Sequence, residues 1–400
     1  MNRKLQENMD ERFIFPQRLK TISFGLMAIG LVGTIAAFFM YNDAEGTQRW
    51  WANMLLNAVF FQGIAMASAF FQAATYVAYN GSITVFKRIP EAIAGFLPYT
   101  ASLLLLVLIF GHTNLYEWSN PDVAANDPLV HAKIGYLNLP FFFVRFAFFV
   151  GILLTLSYLM RKNSLAEDQH GGISYYKKNL TVASLFLIFF AVYISVTSWD
   201  WLMSLDPHWY STMFGWYTFA SFWVTGISVM ALVVVYVKRK GYLDVVKEGH
   251  LHDLGKLMFA FSIFWTYLIF CQFMLIWYAN IPEETEYFRQ RYDHYMILFY
   301  TIFIMNFIAP FLVLMSRDAK RKVQVLVIAA CIIIVGHYID FYLIVMPGTV
   351  GNKAGFGLPE IAPSLFYAGL LIFVVFTNLT KANLVPKNHP FLEESLHHTS

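Results

Sequence analysis

Two short stretches of this sequence hold the residue types that move protons. "GHYID" sets His337 and Asp340 three residues apart, one turn along a single helix face. "SVTSWDWLMSLDPHWYS" sets Asp200, Asp206 and His208 among Trp199, Trp201 and Trp209. A histidine beside a carboxylate relays protons because its charge changes near neutral pH. Arg145 is the third feature, a guanidinium inside an apolar run. Such a group needs an anion, and Asp200 on the next run lies at matching depth. The competing readings are structural: an ion pair for Arg145 and Asp200, a hydrogen-bonded core histidine for His337.

Weaker candidates surround these. Glu91 follows Pro90 at a helix start, where the helix dipole accounts for it, with proton entry as the alternative. His294 opens the eighth apolar run, while His112, His131 and His208 read as loop residues. None of these lies at the depth of His337, so a haem held by two histidines is not expected. Cys271 and Cys331 sit in apolar runs and read as small buried apolar side chains. A phosphate-binding glycine loop, an H-E-x-x-H pair and a nucleophile elbow are missing from the sequence. The chain is therefore expected to hold no metal of its own and to carry no catalytic residue of a hydrolase.

The elements that position these residues must be membrane helices. Of the 400 residues, 58% are hydrophobic and only 13% charged, about half the charge of a soluble domain. Ten apolar runs are long enough to cross the bilayer: 19–41, 50–79, 90–111, 134–160, 180–201, 212–237, 254–279, 292–316, 322–346 and 361–380. The first lacks a small-residue cleavage site and reads as a membrane helix, not a removable signal. Most of the 28 basic residues fall on one side; Arg49, Lys133, Arg145, Arg289, Arg291 and Lys353 are the exceptions. By the positive-inside rule that side, with both termini, is cytoplasmic. The opposite loops are acidic and rich in tryptophan. There Trp199, Trp201, Asp206, His208, Trp209, Glu283 and Glu284 read as an interface or docking surface, with "NIPEETEYFRQRYDH" as a charged loop.

An internal repeat organises the runs. "SWDWLMSLDP" closes the fifth and "YIDFYLIVMP" the ninth, aligning Asp200 with Asp340 and Pro207 with Pro347. "YLNLPFFFV" and "YDHYMILFY" open the fourth and eighth, placing Asn138 opposite His294. The expected fold is an all-α integral membrane protein with ten transmembrane helices. Helices 2–5 and 6–9 form two parallel-repeat four-helix bundles, and helices 1 and 10 are peripheral. The segments follow as 1–18, 19–49, 50–211, 212–350 and 351–400. In the second run Gly63, Ala67 and Ala74 form a small-residue stripe beside Gln62 and Gln72, which favours close helix packing.

"SVTSWDWLMSLDPHWYSTMFGWY", "FCQFMLIWYANIPEETEYF" and "GHYIDFYLIVMP", with ten helices in two bundles, resemble the NrfD-like family of membrane proteins. These belong to polysulfide-reductase-type and alternative-complex-III-type quinol oxidoreductases. The resemblance implies a multi-pass protein of the bacterial inner membrane, in a respiratory quinol:cytochrome c oxidoreductase. It implies as partners a sister ten-helix chain that binds quinol, and extracytoplasmic iron–sulfur and multihaem cytochrome c subunits. A terminal oxidase and membrane lipids complete the set, and no nucleic acid is involved. Haem c and iron–sulfur clusters then belong to those partners, menaquinone or ubiquinone is the lipid-soluble reactant, and this chain is structural and proton-conducting. Its proton-path set is Asp200, His337, Asp340, Arg145, His294 and Glu91. A second reading makes this chain oxidise quinol itself, through Asn138, Arg145, Asp200 and His112. A third is a stand-alone secondary transporter.

Overall fold

A computed structural model describes residues 11–398. The first ten residues, with Arg3 and Lys4 of the basic set, and residues 399–400 lie outside the described residues. Ten helices among the described residues are long and apolar enough to cross a membrane: α1 (Gln17–Met40), α2 (Ala44–Val77), α3 (Arg88–Leu115), α4 (Leu139–His170), α5 (Ser174–Leu205), α6 (Phe214–Arg239), α7 (Glu248–Ala279), α8 (Pro282–Val313), α9 (Val323–Lys353) and α10 (Leu358–Leu379). They describe a multi-pass, all-helical membrane protein.

The small-residue stripe places α2 at the centre. Its apolar window is 89% buried, against 22% for α1. A Cβ on Gly63 would overlap the Phe222 ring, and one on Gly226 would lie 2.6 Å from Ala67 Cβ. Only glycine lets α2 and α6 approach this closely. Around α2 pack α3, α5, α6, α9 and α10; α4 lies on α5, α7 on α6, and α8 on α9. α1 packs along α10, where Gly30 meets the Phe366 backbone and Gly369 the backbone of Ser23 and Met27.

Several residues assigned to loops are inside helices. Arg49 and Glu360 form a partly buried two-pronged ion pair, Nε–Oε1 and Nη2–Oε2 both 2.8 Å, and Asn53 Nδ2 also donates to Glu360 at 2.9 Å. This joins α2 to the first turn of α10. "NIPEETEYFRQRYDH" is not a loop: α8 starts at Pro282, with Glu283 and Glu284 in its first turn. Proline at the start and acidic residues at the positive end of the dipole favour that helix. His112 lies in the last turn of α3, not in a loop. Cys271 is half-buried and Cys331 exposed, so neither is a buried core residue.

Two helices are irregular. α3 breaks at Gly95, before Pro98, and Asn378 of α10 fills the break, donating to Ala92 O at 3.2 Å. α8 leaves helical geometry at Tyr295 and forms a π turn over Ile304–Ile308. At the end of the molecule rich in Lys and Arg, Glu11 O accepts Leu384 N–H at 3.0 Å and Arg12 Nε donates to Asn383 at 3.1 Å. The N-terminal and C-terminal segments therefore meet on one face, hereafter the basic face.

Candidate functional site

Two helices, α6 and α7, converge on Asp340 of α9. That helix carries both Asp340 and His337, which are fully buried. Asp340 Oδ1 accepts the Tyr217 hydroxyl; Oδ2 accepts the Ser221 hydroxyl at 3.0 Å and the Trp265 indole N–H at 3.1 Å. Tyr217 and Ser221 stand one turn apart on α6, which is why both reach one carboxylate. His337 Nδ1 lies 3.5 Å from Asp340 Oδ2, and its ring stands edge-on to Trp265 at 5.3 Å. Neither ring nitrogen has a hydrogen-bond partner among the described residues.

His337 is not alone in this. Both polar atoms of Asn306, the Gln272 Oε1 and the Ser262 hydroxyl are buried without partners among the described residues. Buried polar groups are normally hydrogen-bonded; other unpartnered atoms, among them Gln62 Nε2 on α2 and the Tyr136 hydroxyl beside Arg145, lie elsewhere in the molecule. Asn306 lies in the π turn of α8, a distortion often found at functional sites. A Cβ on Gly336 would overlap Asn306 Oδ1, so the glycine beside His337 makes room for Asn306. A cavity of about 20 Å³ lies next to Asp340, lined by Tyr217, Gln272, Tyr287 and Arg291. That is space for a single water.

Arg291 closes this cluster on the side away from the basic face. It is buried, lies 3.3 Å from the Tyr287 ring centroid, and donates to Tyr287 O at 2.7 Å and Leu343 O at 3.0 Å. Leu343 O is free because Pro347, four residues on, has no N–H. Arg291 thus repairs a proline break and brings a positive charge towards Asp340.

The segment of α5 around Asp200 is built differently. Arg145 grips Asp200 through Nε–Oδ2 at 2.7 Å and Nη2–Oδ1 at 3.0 Å, while Nη1 donates to Tyr136 O at 3.0 Å. Tyr136 and Phe141 rings cover the guanidinium at 3.9 and 4.3 Å. The ion pair expected from sequence is present. Asn138 does not join it; its side chain caps α4 by accepting Phe141 N–H at 3.0 Å. His112 Nδ1 bonds Ile109 O at 3.0 Å and makes no hydrogen bond with Arg145 or Asp200. Of the four residues of the quinol-oxidising reading, only Arg145 and Asp200 bond one another. His294 is exposed on α8, away from the buried cluster.

Glu91 lies in a buried charge network at the basic face, more than a dipole-stabilised helix start. It accepts Arg88 Nη1 at 2.6 Å, Ser164 Oγ at 2.5 Å and Arg161. Arg88 also meets Asp168, and Lys87 reaches Glu167 at 3.2 Å and the Tyr76 hydroxyl at 2.8 Å. Burial opposes the Lys87 charge, but Tyr76, Glu91 and Glu167 outweigh it and raise its pKa. The C-terminal tail seals the network: Asn388 donates to Asp168 O at 3.0 Å and Lys387 N–H to Asp168 Oδ1 at 3.1 Å. Burial, then the nearby Lys87 charge, pushes the His389 pKa down to about 2. Sequence reasoning named only Glu91 here. The available signal was the pairing of Lys87–Arg88 with Glu167–Asp168 on the same face.

The docking residues divide. Trp201 and Trp209 are each 3% exposed, so they belong to the core and not to a surface; Trp209 stacks on Tyr287 at 3.7 Å. Trp199, Asp206 and Glu284 are half-buried, and Glu283 and His208 are exposed. His208 Nε2 bonds Asp127 at 2.7 Å, which holds the Asp127 carboxyl below its ordinary pKa. Among the described residues no three His, Cys, Asp or Glu side chains gather as a metal site. No protein-family model matches the chain, and no curated protein matches it either.

Proposed function

We propose that this chain is the structural, proton-conducting membrane component of a bacterial quinol:cytochrome c oxidoreductase. Its sequence motifs resemble the NrfD-like membrane chains of alternative complex III, in particular those without the principal quinol site. The observation that carries the proton role is the buried His337–Asp340 pair, set among unpartnered polar groups from α7, α8 and α9. A proton leaving Asp340 Oδ2 for His337 Nδ1, 3.5 Å away, needs the pair to close to hydrogen-bond distance or one bridging water. The transfer then leaves a carboxylate held by three donors, and the imidazolium releases its other proton from Nε2. Asn306, which packs on Gly336, and Gln272, which lines the cavity beside Asp340, are unpartnered groups available to solvate the transfer.

In this reading the basic face is cytoplasmic, the membrane is the bacterial inner membrane, and α2–α5 and α6–α9 are the repeated bundles. Haem c and iron–sulfur clusters reside in extracytoplasmic partners, and the sister ten-helix chain holds the menaquinol or ubiquinol. Quinol oxidation by this chain has less support, because Arg145 occupies both oxygens of Asp200 and Asn138 is spent on a helix cap. The transporter reading draws on the break in α3, but Asn378 fills that break from α10.

Affinity purification of the tagged chain in mild detergent tests the assignment. The expected result is co-purification of haem-bearing and iron–sulfur chains with a second ten-helix chain. A chain that purifies alone, with no haem absorbance, contradicts it.

A further inference from the structure

A groove unrelated to the proton site runs between α10 and the α6–α9 pair, floored by α2. It has a volume of about 470 Å³, within the range of ligand-sized pockets. Phe60, Ile64, Val233, Ile334 and Leu371 line it, and its single charged residue is Arg239, the last residue of α6. No acidic side chain lines it.

Its depth and polarity match one leaflet of a bilayer. From Val229 to Arg239 the helix rises about 15 Å at its ordinary pitch, half of a hydrocarbon core about 30 Å thick. The groove therefore starts at the basic face and ends near the midplane. Arg239 is exposed at the mouth. Arg18 and Lys20, both exposed, flank Leu19, which also lines the groove. The neighbouring Lys238 ammonium is already committed to Val246 O at 2.5 Å.

We propose that this groove is a binding site for one acyl chain of an anionic phospholipid from the leaflet at the basic face, with the lipid phosphate on Arg239. A groove with apolar walls along one leaflet and a cation at the headgroup level has the complementarity that such a lipid requires. The lipid fills the space between the α1–α10 pair and the α6–α9 pair, and so fixes α10 against α6.

Native mass spectrometry of the full chain, delipidated in detergent and titrated with phosphatidylglycerol or phosphatidylcholine of the same acyl chains, tests this. One phosphatidylglycerol is expected to be retained about fivefold more strongly than phosphatidylcholine, the preference one basic residue supplies near a membrane surface. Arg239→Ala removes the preference and Arg239→Lys keeps it. Ala368→Phe, which narrows the groove, weakens both lipids while leaving the helix content unchanged. Equal retention of the two lipids by the unmodified chain overturns the proposal. So does a preference that survives Arg239→Ala, displacement by inorganic phosphate at the lipid concentration, or a protein segment crosslinking to Ala368→Cys in the assembled complex.

Discussion

Asp200 of α5 and Asp340 of α9, which the repeat proposed above would pair, have surroundings with little in common. Asp200 faces a guanidinium that takes both of its oxygens and is roofed by Tyr136 and Phe141. Asp340 faces three neutral donors and a histidine with both nitrogens unpartnered among the described residues. Arg291 lines the same cavity as Asp340 without a hydrogen bond to it. The first arrangement is an ion pair whose two charges cancel, with every nitrogen of Arg145 engaged. The second contains a titratable ring, a cavity and buried groups with bonds to spare. One carboxylate builds the fold, whereas the other has the surroundings for proton exchange. The difference comes from the partner helices, not from the two aspartates.

Four substitutions probe that contrast, in order of expected effect. Arg145→Met leaves the Asp200 charge buried without its counter-ion and should cost about 3–5 kcal/mol of stability. Arg145→Met with Asp200→Leu should recover most of this. Unfolding midpoints of the full chain in detergent measure both, and equal loss in the single and double variants would remove the pair from the account. Gly336→Val comes next, because its Cβ would overlap Asn306 Oδ1. Overpacking of this kind should cost about 1–3 kcal/mol, and adding Asn306→Ala should restore part of it in the same assay.

Asp340→Asn should be milder, about 1–2 kcal/mol, since it keeps the shape and loses some of three hydrogen bonds. A destabilisation as large as that of Arg145→Met would mean that Asp340 is as structural as Asp200. The smallest effect is at the basic face. His389 ionises near pH 2 in the folded chain, against an ordinary value of 6.5. Between these values the unfolded tail binds the extra proton and the folded one does not. The contribution of His389 to tail docking is thus complete above about pH 6.5 and falls as the pH drops below it. Limited proteolysis of residues 383–398 should quicken between about pH 7.5 and 5.5, and His389→Gln should flatten that slope.

The ten helices were legible because a bilayer demands about 20 apolar residues per crossing, and each expected run overlaps a helix. Arg145 and Asp200 were legible for a related reason: a guanidinium in hydrocarbon narrows its partners to a few carboxylates. The shell around Asp340 was not. Tyr217, Ser221 and Trp265 are ordinary neutral residues on other helices, and only the packing brings them together. Arg291 was hidden by counting its segment as a loop, although Pro282 followed by Glu283 and Glu284 marks a helix start. Trp201 and Trp209 misled for a geometric reason. Position along a helix gives depth in the membrane, but it does not say which way the ring faces.

If the proposed function is right, the Asp340 cluster exchanges protons and the Arg145–Asp200 ion pair does not. In vesicles containing the oxidoreductase complex proposed above, proton release per quinol oxidised is the measurement to make on Asp340→Asn and His337→Leu. Both variants should lower proton release and retain quinol turnover. Unchanged stoichiometry in both variants would contradict it.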